Sequence, residues 1–158
     1  VVRNFRIEKL ATITLHQIIL WIHFFISGTF LLIAIWLLIR VARGTFLKLS
    51  YLKLDKTLAY FFIVNLYLQL LFGLILSTNL SIFGYDYQSA NGTVASVSKR
   101  LWPIEHIVLM LFALFIANLG LIFSNKSTIE HEKHRKIFVY YSVSILLIAM
   151  SLASIYLF

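Results

Sequence analysis

The chain has 158 residues, of which 61% are hydrophobic and 13% charged, with a mean hydropathy of +0.91. A soluble domain carries roughly twice that charged fraction, so a water-exposed globular fold is excluded. The absence of cysteine excludes disulfides, thiolate metal sites and iron–sulfur clusters. The formal charge of +8 does not imply nucleic acid, because the basic residues flank apolar runs, where lipid headgroups lie. Those runs are each long enough to cross a bilayer, which takes about 20 apolar residues. The expected fold is all-α: a polytopic membrane protein whose residues 1–158 form one four-helix bundle. Its helices are expected near residues 10–42, 57–80, 101–123 and 137–158.

The first run carries no charge from Leu10 to Ile39, about 45 Å of helix at 1.5 Å per residue. It contains His16, Gln17, Trp21 and His23, and the two histidines share a face two turns apart. A basic connection with Arg40, Arg43, Lys48, Lys53 and Lys56 follows. The second run holds Asn65, Tyr67, Gln69 and Gly73, and leads into the longest expected loop, residues 81–100. Asn65 is expected to reach Asn118 across to the third run.

The third run opens with Trp102-Pro103-Ile104-Glu105-His106. Tryptophan suits the water–lipid boundary and proline the first turn of a helix. Ala113, Ala117 and Gly120 make a small-residue strip for close helix approach. Residues 124–136 read as a solvated hairpin in which His131 and His134 are surface residues with no metal role. The fourth run carries its own small strip, Ser142, Ala149 and Ala153.

Lys and Arg number nine on the first and third connections against five on the N-terminus and second connection. The expected orientation therefore places both hairpins in the cytoplasm and both termini outside, in a bacterial inner membrane. His16 and His106 then each lie one turn inside the outer end of parallel helices, at one depth. Two imidazoles from different helices at equal depth suit bis-histidine ligation of a b-type haem. The alternative is a pair of interfacial histidines bonded to headgroups or loops. Glu105 and Gln17 are candidates to orient the ligands. His23 lies about 10 Å deeper than His16; a bond to a neighbouring helix is its expected role, with a second site or replacement of His16 as ligand as the alternatives.

Leu15-His16 with Trp21, Gln69 with Gly73, and Glu105-His106-Ile107 with Leu109-Met110 together resemble a group of short four-helix bacterial membrane proteins labelled cytochrome b-like, found among the Bacteroidetes. The order and spacing of the four runs also agree. The resemblance implies haem b held by His16 and His106 as axial ligands to the iron. Tyr67 and Gln69 would border the cavity, and Trp21 and Met110 would pack near the porphyrin. Tyr67 stands where the group usually has a histidine, and Leu20 where an arginine is common.

The expected function is electron transfer within or beside a respiratory complex, with membrane lipids, other membrane subunits and a quinone as partners. The alternative is a non-catalytic accessory subunit of an energy-converting assembly, without a cofactor of its own. No phosphate loop, nucleophile triad or HExxH motif is present in the sequence, and no catalytic residue is assigned.

Overall fold

The computed structural model describes the backbone of residues 2–80 and 94–157, and the side chains of residue 15 and of residues 17–77 and 104–154. Nearly all of the described residues are helical, and they form four helices: α1 (Val2–Phe46), α2 (Lys53–Leu80), α3 (Val94–Lys126) and α4 (Glu130–Leu157). Each contains a stretch long and apolar enough to span a membrane: Gln17–Phe46, Lys53–Ser77, Ile104–Lys126 and Glu130–Ser154. Helix is the form a spanning segment takes in lipid, because it satisfies every backbone polar group internally.

The helices exceed the expected runs at their polar ends. Residues 94–100 begin α3 rather than closing the long loop, and the expected 124–136 hairpin shrinks to the short link between α3 and α4. Charged residues are good helix formers, so the helices continue into the polar flanks where the hydrophobic run stops.

Local hydrogen bonds set the turn between α1 and α2. Lys48 adopts φ 50°, and Leu49 N–H donates to Gly44 O at 3.1 Å, closing α1 with a left-handed cap. Asp55 then reaches back to accept from Leu52 N–H at 2.9 Å, half of a capping box at the start of α2. On the other side, Ser127 Oγ donates to Glu132 at 3.1 Å across the α3–α4 turn.

Around the bundle the order is α1–α2–α3–α4, with α4 also against α1, and α3 packs most extensively on α4. The core is centred on Leu37, Val41, Phe62, Leu66, Ala117, Ile137 and Tyr141. Phe62 stacks between Phe30 and Tyr141, with centroids 4.9 and 4.4 Å away, and Tyr141 Oη donates to Ala59 O at 3.0 Å. The α3 strip behaves as its composition implies. Ala113, Ala117 and Gly120 are buried, and a β-carbon at Gly120 would come within 2.5 Å of Tyr140 Cβ.

The strip expected on α4 does not line the core. Ala149 and Ala153 are exposed, and the buried face of α4 runs through His134, Ile137, Tyr141, Ser144 and Ser151 instead. Ser144 Oγ donates to Ala113 O at 2.8 Å, so a serine hydroxyl reaches the partner backbone where small α3 residues allow it.

Candidate functional site

The end of the bundle remote from the two hairpins holds His106, one of the two expected ligands. His106 on α3 is partly buried, and its Nδ1 lies 2.7 Å from Ser151 Oγ on α4. Ser151 has no exposed surface. The contact fixes the ring's orientation and is the kind of outer partner that a ligating imidazole requires. Glu105 and Gln17, the expected orienting groups, are both exposed. Met110, one turn along α3, is buried on the same side.

His23 is also at this end of the bundle. A β-carbon at Gly73 would lie 3.6 Å from its Cε1, so only the glycine backbone flanks the ring on that side. Its Nδ1 is buried with no hydrogen-bond partner among the described residues. One turn deeper, Ser27 Oγ donates to His23 O at 2.8 Å and accepts from Gln69 Nε2 at 2.9 Å. Gln69 is thus buried beneath the histidines, tying α2 to α1. The side chain of His16 lies outside the described residues.

Two expected members of the site point elsewhere. Trp21 is 73% exposed and meets only Phe24, edge to face at 6.4 Å, among the described rings. Tyr67 is 52% exposed and accepts from Asn118 Nδ2 at 3.4 Å. Asn65 does not reach Asn118 either; it donates to Thr29 Oγ1 at 3.1 Å. A shallow apolar depression on α3, lined by Val108, Leu111, Phe112 and Phe115, faces outward. All four of these residues are exposed, and no histidine lines the depression.

The hairpin end carries a second polar cluster. Arg40 Nε donates to Asp55 Oδ1 at 2.6 Å, and Asp55 is only 1% exposed. His134, expected on a solvated hairpin, is 2% exposed because α4 begins at Glu130 and turns this position inward. Its Nε2 lies 3.3 Å from Ser50 O and 4.0 Å from Asp55 Oδ2, while Nδ1 has no partner among the described residues. The ring lies on Gly44, where a β-carbon would overlap it, and meets Tyr51 edge-on at 4.9 Å. Burial pushes the Tyr51 phenol up to about 12, although a hydrogen bond with Ser124 opposes the rise. Tyr51 N–H donates to Glu130 at 2.6 Å, and Glu130 also accepts from Lys133 at 3.0 Å. All four helices therefore meet at the α1–α2 turn.

Ser151, Asp55 and His134 are the residues that reading the sequence missed. Each left a trace. Asp55 is the lone acid in a basic connection, and His134, Tyr141, Ser144 and Ser151 recur at helical spacing.

Among the described residues no group of three or more His, Cys, Asp or Glu side chains could hold a bare metal ion. The polar groups at the remote end are a buried imidazole nitrogen without a partner among the described residues and a second imidazole bonded to a serine, the donor type a haem iron would take. These features define an integral membrane four-helix bundle with two buried polar clusters, one at each end. Comparison with family models, curated proteins and solved structures found no match to the chain.

Proposed function

We propose that the protein is a b-type haem protein of a bacterial inner membrane, passing electrons within or beside a respiratory complex. The hairpin end would face the cytoplasm and the histidine end the outside. One observation supports this reading above the rest: α1 and α3 each carry an imidazole, His23 and His106, to the same end of the bundle, and Ser151 bonds to one of them. Bound haem supplies one-electron chemistry at its iron. His106 would hold that iron through Nε2, with Ser151 keeping Nδ1 engaged, and the second ligand would come from the α1 face shared by His16 and His23. Gln69 and Ser27, already bonded to each other, close the floor of the site without taking hydrogen bonds from the rings. Leu76 and Met110, buried toward this end, would help keep water from the iron, which together with ligand identity would tune its potential.

A reduced-minus-oxidised absorption spectrum of the purified full chain tests the proposal. A low-spin α-band is expected, lost in His106→Ala and altered in Ser151→Ala, with helicity and membrane insertion retained. A wild-type chain that shows no haem band after incubation with iron protoporphyrin IX would overturn the reading. A cofactor-free subunit of a larger membrane assembly would then be the better account.

A further inference from the structure

Which α1 histidine opposes His106 can be argued from the register of the bundle. The α1–α2 pairs Ser27–Gln69 and His23–Gly73 give one ladder, and the α2–α3 pairs Tyr67–Asn118 and Tyr60–Asn125 continue it. Carried along both, His106 stands level with Gln17 of α1. The route through α4 uses His106–Ser151 and then the contact of Gly44 with His134, and brings His106 level with Ser27. The two routes end ten residues apart on α1, at Gln17 and Ser27. They bracket His23, which lies between Gln17 and Ser27, and His16 falls just outside the bracket.

We propose, building on the haem reading above, that His23 and not His16 is the α1 residue that shares the iron with His106. Two features of His23 agree. Its Nδ1 is buried without a partner among the described residues, a costly state for a polar group in a membrane interior. Gly73 flanks its ring with backbone alone, so this position leaves the imidazole room to turn. A neutral imidazole can ligate through either ring nitrogen, and coordination through one leaves the other to a carbonyl or water.

The test uses the purified full chain loaded with iron protoporphyrin IX and read by absorption and electron paramagnetic resonance, without any assay of activity. His23→Ala should keep haem but convert it from low-spin six-coordinate to high-spin five-coordinate, and added imidazole should restore the low-spin form. His16→Ala should leave the low-spin spectrum unchanged. Gly73→Leu, which alters neither histidine, should crowd the His23 ring and yield a high-spin fraction. A low-spin spectrum that survives His23→Ala and disappears in His16→Ala overturns this assignment while leaving the haem proposal standing. Absence of any haem spectrum in the wild-type chain overturns the haem proposal itself, so the two failures are distinguishable.

Discussion

At the scale of single residues, the Arg40–Asp55 pair governs how the hairpin end is held. Asp55 is almost fully buried and Arg40 only partly, with 29% of its side chain exposed. Removing the carboxylate leaves a cation without its partner at a partly desolvated position, and also strips Leu52 N–H of its cap. Asp55→Ala is expected to destabilise the protein by about 3 kcal/mol, at the low end for breaking a buried pair because Arg40 keeps some solvent. The double replacement Arg40→Met with Asp55→Leu should recover most of that loss, since two well-packed apolar groups carry no desolvation penalty. Denaturant unfolding in detergent micelles measures both, and equal instability of the single and double variants would contradict the account.

Tyr51 makes a pH-dependent contribution at the same place. Its phenol ionises near 10 when unfolded and at about 12 in the folded protein, chiefly through burial. The native state therefore binds the proton more tightly, and stability falls as pH rises above 10 toward 12. Below that window the contribution is complete. An alkaline titration of phenolate absorbance, compared between wild type and Tyr51→Phe, should show one tyrosine ionising late.

At the scale of elements, glycine and alanine decide how closely the helices approach. Ala117 has no exposed surface, so Ala117→Leu should cost about 1–3 kcal/mol by overpacking the α3–α4 contact. Gly44 carries the face of the His134 ring, and Gly44→Ala should cost a similar amount, about 1–3 kcal/mol. Combining Gly44→Ala with His134→Ala should give a loss smaller than the sum of the two single losses, because the clash then has no ring to meet. Strict additivity would mean that the two positions do not touch.

For the whole molecule, the sorting of lysine and arginine predicts that both hairpins face the cytoplasm. Ser127 is a poor labelling site, being buried and bonded to Glu132. Ser50 and Thr128 are exposed at the same end. Cysteines placed there should resist an impermeant thiol reagent in intact cells and react once the membrane is opened. Efficient labelling of intact cells at both positions would invert the orientation.

Much of this architecture was legible before any coordinates. The four spans follow from run length, because crossing a bilayer is a local requirement that each segment meets alone. The α3 strip follows from side-chain size at helical spacing, and the placement of His106 near the start of its span follows from the Trp102-Pro103 boundary. The inward faces were less legible. Lipid is as apolar as a protein core, so hydrophobicity does not mark which side of a membrane helix is buried. The expected α4 strip and the inward Trp21 and Tyr67 failed for that reason: small or amphipathic residues suit lipid and bundle alike. The packing of one hairpin on the other brought His134 to Asp55, and the packing of α4 on α3 brought Ser151 to His106, residues 79 and 45 positions apart in the chain. Such pairings depend on helix rotation and crossing angle, which are properties of the assembled bundle and of no single segment.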